Sequence, residues 1–252
     1  MMTKYGIQMW SLRDMVSRDH NMDGALRTAA ELGYSFVEFA GFDGLPAAEV
    51  GAMMKKYGLS SVSTHTSLDQ LTPDKIDATI AYHKALGIDR VIIPYFRADE
   101  SREKLEELIS AINYAQPILE AQGLTLGYHN HWWEFYRGEN DYLIVDELYR
   151  RTSVRFEFDT FWIFFAGCDP IAELQRYADR VDMIHLKDGK HSPDDYFRGI
   201  ACALGEGDAP VAAVRAYAIE HHLPMVVESE GQNPTGPEEI GRCINYLRSL
   251  EA

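Results

Sequence analysis

The hydrophobic positions of this chain fall into two alternating kinds of run. Short runs rich in β-branched and aromatic residues are each followed by a longer stretch with apolar residues at helical spacing. The short runs are 5–10, 35–40, 60–65, 90–94, 124–129, 154–159, 182–186 and 225–228. They read nearly continuously apolar, as parallel strands covered on their outer face should. They recur at roughly 30-residue intervals, the size of one βαβ unit. Helices are predicted at 23–32, 47–57, 73–86, 101–121, 140–151, 170–178, 209–221 and 237–250. Asp23, Thr72 followed by Pro73, and Ser101 stand where helices start; Gly33, Gly58, Gly87 and Gly123 stand where they stop.

Eight strand–helix repeats predict an α/β fold, a closed (β/α)₈ TIM barrel, with residues 1–252 forming one domain. The rival is an open doubly wound sheet, but no GxGxxG turn follows the first strand. The longest irregular stretch, 187–208, follows the seventh strand; long loops in compact domains are usually functional.

Charge narrows the partners. The chain has 39 acidic and 24 basic residues and a formal net charge of -15. That field repels a nucleic-acid backbone, and no Lys/Arg cluster offsets it. Cys168, Cys202 and Cys243 are scattered, without a CxxC, and read as reduced thiols. The first residues lack the apolar core of a signal peptide, and no apolar run is long enough to span a membrane. The expectation is a cytoplasmic protein with no nucleic-acid or membrane partner and an oligomeric state left open, a homo-oligomer included.

A (β/α)₈ barrel assembles its active site at the C-terminal ends of its strands. Those ends carry Gln8 and Trp10, Glu38, His65, the run Tyr128-His129-Asn130-His131-Trp132-Trp133-Glu134, Glu157-Phe158-Asp159, His185-Leu186-Lys187-Asp188, and Glu228-Ser229-Glu230. Scattered in sequence, they converge on one ring if the barrel closes. Carboxylates and imidazoles together suit Mn²⁺, Zn²⁺, Co²⁺ or Mg²⁺. His129 and His131, two apart, share a face if the chain is still extended there. Glu38 fits a polar layer inside the barrel. His83, His221 and His222 lie on helices and read as packing or surface residues.

The run 128–135, then Phe158-Asp159-Thr160, His185-Leu186-Lys187-Asp188, Leu204-Gly205-Glu206-Gly207-Asp208 and Val227-Glu228 resemble the sugar phosphate isomerase/epimerase family, the xylose-isomerase-like barrels. That group includes ketose 3-epimerases and inosose isomerases and dehydratases. The opening Gly6-Ile7-Gln8-Met9-Trp10-Ser11-Leu12-Arg13-Asp14 fits as well, so the likeness covers essentially the whole chain. It implies one divalent metal held by Asp159, His185 and Glu228. The fourth ligand departs from the family pattern: His129 stands where many members have Glu, and Glu134, shortly after the motif, is the preferred ligand with His129 as rival. A second departure is Trp162, where epimerases of the group often have a substrate-contacting His; a Trp can stack on a sugar ring but transfers no proton.

The implied chemistry is proton abstraction next to the carbonyl of a sugar or cyclitol, with Glu228 as first choice of base, Glu134 opposite it and His131 as a further proton carrier. His65, His129, Trp162 and Lys187 are the expected substrate contacts. Return of the proton gives an epimer or isomer. Loss of a neighbouring hydroxyl or glycosyloxy group would give a dehydratase or lyase. A non-catalytic sugar-binding barrel and an abasic-site nuclease are the readings from other classes. A serine hydrolase would need a GxSxG motif, which is missing. The segment 205–208 offers weak evidence of a phosphate site, since its acids would repel phosphate.

Overall fold

The computed structural model describes residues 3–137, 141–192, 199–231 and 235–251. Its strands are β1 (Gly6–Gln8), β2 (Phe36–Ala40), β3 (Ser60–His65), β4 (Arg90–Ile93), β5 (Thr125–His129), β6 (Arg155–Asp159), β7 (Val181–Leu186), β8 (Asp188–His191), β9 (Gly199–Cys202) and β10 (Met225–Val227). Eight of them close in the order β1-β10-β7-β6-β5-β4-β3-β2, all parallel, and β8 pairs with β9 in a separate antiparallel hairpin. The α/β barrel expected from the hydrophobic pattern is therefore the fold.

The helices are α1 (Met22–Leu32), α2 (Ala47–Tyr57), α3 (Ile76–Leu86), α4 (Arg102–Glu120), α5 (Ile144–Arg151), α6 (Thr160–Phe165), α7 (Pro170–Arg176), α8 (Val211–Glu220) and α9 (Gly236–Ser249). Gly33, Gly58, Gly87 and Gly123 all take left-handed φ, the conformation that ends a helix at little cost to glycine. Ser101 caps α4 by accepting from Lys104 N–H at 3.2 Å. Two starts differ from expectation. Asn21, not Asp23, caps α1, accepting from Gly24 N–H at 2.9 Å. The segment after Thr72 makes a turn before α3 begins at Ile76, so the Thr72-Pro73 pair opens that turn rather than the helix. The expected start of the fifth helix, at 140, lies outside the described residues.

The pleat sorts side chains to two faces. Val37, Phe39, Leu126, Tyr128, Phe156, Phe158, Ile184 and Leu186 belong to the main core, between barrel and helices. A second small cluster, Phe36, Met183 and Val226 with Val62 against it, plugs the barrel interior. Nearer the C-terminal ends the interior turns polar. Gln8 stands in register with Glu38, Glu38 with Ser63, His129 with Glu157, and Asp159 with His185. Branched apolar residues usually fill such layers; here carboxylates and imidazoles take their place, all buried.

The stretch after β7 is built around one carboxylate. Asp188 accepts backbone N–H bonds from Gly189 (2.8 Å), Gly205 (2.9 Å), Gly207 (3.0 Å) and Ala209 (3.1 Å). A Cβ on Gly207 would fall on the Asp188 carboxylate, which is why the motif needs glycine there. The Gly-Glu-Gly-Asp run thus wraps an internal anion. Asp188→Ala should destabilise the fold by about 2–4 kcal/mol, because several donors lose a charged acceptor at once. Thermal melting checks this: Asp188→Asn should fall between the two, and an Ala variant melting with the wild type would contradict the account.

Candidate active site

The C-terminal ends of the barrel strands open into a cavity of about 500 Å³. Its lining includes His65, His129, His131, Lys187, Glu228 and Glu230, with Trp10 and Tyr95 as aromatic walls. At its floor His129, Asp159, His185 and Glu228, all buried, bring one ligand atom each within 4.8 Å of one another.

Each side chain is placed by its strand. Asp159 ends β6, and its Oδ1 accepts from Phe161 N–H (2.9 Å) and Trp162 N–H (3.1 Å), capping α6. Its Oδ2 is buried without a hydrogen-bond partner. One oxygen therefore caps and the other is aimed into the site, so the capping and ligand roles do not exclude each other. Burial pushes the Asp159 carboxyl up to about 7, Lys187 opposing and Glu228 adding to the rise. His185 turns Nε2 toward Glu38 (2.8 Å) and leaves Nδ1 facing Glu228 at 3.5 Å. A ring nitrogen fixed by a carboxylate behind it is the usual support of a metal-ligating histidine. Burial takes His129 down to about 4, which keeps its imidazole neutral and fit to ligate.

Glu228 lies 3.2 Å from Lys187 Nζ. Burial raises its carboxyl, but Lys187 and His185 outweigh that and hold it well below the usual range. Lys187 is itself buried, 3.9 Å from Asp159, hydrogen-bonded to Glu230, with its ammonium 4.9 Å above the Trp162 ring. Glu230 also accepts from the Trp10 indole at 2.9 Å, so it braces the mouth.

Glu134 lies elsewhere. Its Oε1 accepts from the Tyr128 hydroxyl (2.6 Å) and its Oε2 from His131 N–H (2.8 Å). Both oxygens are thus engaged in holding the turn after β5, and burial pushes the carboxyl up to about 7. Among the described residues Glu134 joins neither group of side chains close enough to share an ion; His129 does. Glu134 is likewise absent from the cavity lining, so the sequence preference for it as ligand and opposing base meets a geometry that favours His129. Trp162 also differs from expectation. The turn into α6 carries its ring behind Lys187 and against Phe161 and Phe165, and it is not among the residues lining the cavity. His131 does line it, stacked on Trp133 with centroids 4.5 Å apart and its Nδ1 unpartnered; burial holds it well below the usual imidazole range. His65 reaches the cavity while bonding Glu157 at 2.8 Å.

Sequence reasoning passed over Tyr95 and named Glu157 at its strand end without giving it a role. Tyr95, at the end of β4, follows a proline and carries no acid–base signal. Glu157, two residues before Asp159, shares its inward face by strand alternation.

Residues 26–250 match the family described as xylose isomerase-like TIM barrel. The chain belongs to that family. Within the xylose isomerase-like barrels it is 26% identical over 170 residues to an inosose dehydratase of Geobacillus kaustophilus, a match covering 58% of this chain. The chain spans 55% of that relative's length. A sugar phosphate isomerase/epimerase from Parabacteroides distasonis superposes with TM-score 0.81 at 23% identity, 98% of each chain covered. The probable 3-DHS dehydratase of petrobactin synthesis from Bacillus anthracis superposes with TM-score 0.75 at 14% identity, covering 98% of this chain and 99% of that one. At these identities the structural likenesses speak for the barrel. No helix among the described residues is long and apolar enough to cross a membrane.

Proposed function

We propose that this chain is a divalent-metal-dependent isomerase or epimerase acting on a sugar or cyclitol ketone by proton abstraction next to the carbonyl. The observation that carries the reading is the convergence of His129, Asp159, His185 and Glu228 on the cavity floor. The donor set fits a divalent cation: two carboxylates and two imidazoles, with Asp159 Oδ2 and His185 Nδ1 buried and without a hydrogen-bond partner. These four residues would hold the ion.

A divalent ion held there would supply Lewis acidity toward a ketone and its neighbouring hydroxyl. Glu228, at the edge of the floor, takes the proton from carbon. Its depressed pKa makes it a weak base in water, so its effectiveness rests on position and on exclusion of solvent. His131, neutral and facing the cavity, is placed to carry a proton at the substrate's other side. Lys187, held by Glu228 and Glu230, presents positive charge where a substrate oxygen becomes negative. Trp10 and Tyr95 wall the ring.

A second reading, loss of a hydroxyl after the same proton abstraction, is supported by the inosose dehydratase match. The test is exchange of carbon-bound hydrogen in D₂O across a panel of ketosugars and keto-inositols, before chelation, after it, and with metal restored. Exchange that vanishes on chelation and returns with metal is expected. Tight binding without exchange would favour a sugar-binding barrel, and full exchange after chelation would sink the metal-dependent reading. A dehydratase would release water and leave an unsaturated product.

A further inference from the structure

A second cavity lies between β3 and α3, on the far side of that strand from the active site. Its volume is about 510 Å³, within the range of about 300–1,000 Å³ common for small-molecule sites. Phe42 and Leu45 reach it from the loop after β2, and Ala78, Tyr82 and His83 from α3. Two of its lining residues carry buried polar atoms with no hydrogen-bond partner, Thr64 Oγ1 and His83 Nε2.

Both orphans follow from the local structure. Ser63 and His65 turn inward to Glu38 and Glu157, so alternation along β3 sends Thr64 outward, toward the helices. His83 Nδ1 lies 2.7 Å from the Thr79 carbonyl, which can only accept, so Nδ1 carries the proton. Burial holds the ring below the usual imidazole range and keeps it neutral, which leaves Nε2 an acceptor. Buried polar groups are nearly always paired, and two orphans in one cavity call for an occupant that supplies partners. Apart from its histidines, the charged residues of the lining are Asp74 and Lys75, of opposite sign, and Lys75 is already bound to Asp69 at 2.7 Å. A neutral occupant fits that balance better than an anion. Phe42 and Tyr82, with centroids 4.3 Å apart, offer aromatic surface, and the Tyr82 hydroxyl is already donated to the Leu45 carbonyl at 2.6 Å.

We propose that this cavity binds a neutral aromatic ring bearing a hydroxyl, a phenol, whose O–H donates to His83 Nε2 while the ring lies against Phe42 and Tyr82. The Thr64 hydroxyl is the donor available to its oxygen. Gly41, His65 and Ser67 line both this cavity and the active site, so the two meet over the end of β3. The phenol is therefore either a free ligand or a ring borne by the substrate. In the second case the inference rests on the proposed reaction and makes its substrate an aryl-substituted sugar or cyclitol.

Calorimetric titration of the full-length protein with phenol and with anisole, which keeps the ring but lacks the donor, tests the site without reference to activity. Phenol should saturate one site and bind about tenfold more tightly than anisole, the worth of one hydrogen bond. His83→Phe keeps a ring without the acceptor and should remove that preference. Ala78→Trp, at an exposed position of α3, should block the rim and abolish binding of both, which keeps the test decisive if His83→Phe fails to fold. No saturable binding of phenol, or binding and preference unchanged in both variants, overturns the proposal. Deuterium exchange then separates the two sources. A 4-hydroxyphenyl glycoside of a ketosugar with a KM about tenfold below that of the bare ketosugar, a gain lost in Ala78→Trp, assigns the ring to the substrate. Equal KM values with phenol still bound assign the cavity to a free phenol. Phenol binding without exchange from any ketone overturns the proposed function and leaves this site standing.

Discussion

Glu228→Gln should slow exchange of the substrate's carbon-bound hydrogen by roughly 10²–10⁴-fold, the usual contribution of a positioned acid–base group. The amide keeps the shape of the side chain and removes its charge. Two functions go together: the base is lost, and the floor loses one of its two carboxylates. Raising the metal concentration separates them, because excess ion can refill the floor but cannot supply a base. The expected pattern is restored metal content with the rate still depressed. Lys187, 3.2 Å from Glu228, would then be neutralised mainly by Glu230 and Asp159. A variant exchanging within about threefold of wild type would transfer the base role elsewhere, with His131 the next candidate on the cavity wall.

The second large effect separates His129 from Glu134. His129→Gln should weaken metal binding by more than the roughly 10–100-fold that altering an outer partner of a ligand costs. Glu134→Gln should leave metal content intact. Its cost should fall on rate and stability, because Glu134 accepts from Tyr128 and from His131 N–H and so sets the turn that presents His131. Metal analysis of the two purified variants decides. If metal follows Glu134, the turn after β5 must rearrange on binding, swinging that carboxylate off Tyr128 and toward the floor.

The barrel was legible in the sequence because its strands are covered on their outer face. That makes most of them short apolar runs; β3, Ser60-Ser61-Val62-Ser63-Thr64-His65, is largely polar and still matches its predicted limits. The helix stops were legible because left-handed φ selects glycine. Asp159, His185 and Glu228 could be singled out because each sits at or just past a strand end, where alternation fixes which way a side chain points. Past the strand, alternation no longer applies. Glu134 follows a turn whose path depends on tertiary hydrogen bonds, and spacing alone could not say where its carboxylate would go. Trp162 meets the same limit: α6 begins immediately after Asp159 and carries the indole against Lys187. The hairpin β8–β9 carries too few apolar residues to announce itself. The Gly-Glu-Gly-Asp run looked like a poor anion site from its charge; its anion is Asp188, supplied by the chain itself.

The seam at which the barrel closes has a kinetic consequence. β10 is the last barrel strand to be made, and it slots between β7 and β1, pairing Val226 with Gly6 across nearly the whole chain. Glu228 follows directly on that strand. During synthesis or refolding the floor therefore has to wait for the most distant strand pairing in the barrel, a slow step because closing a long loop comes before its contacts repay the lost entropy. Until then the other donors exist as an open arc, able to hold an ion only loosely. Tight metal uptake should therefore mark ring closure in time, and an ion bound by the finished barrel would resist reopening of the seam.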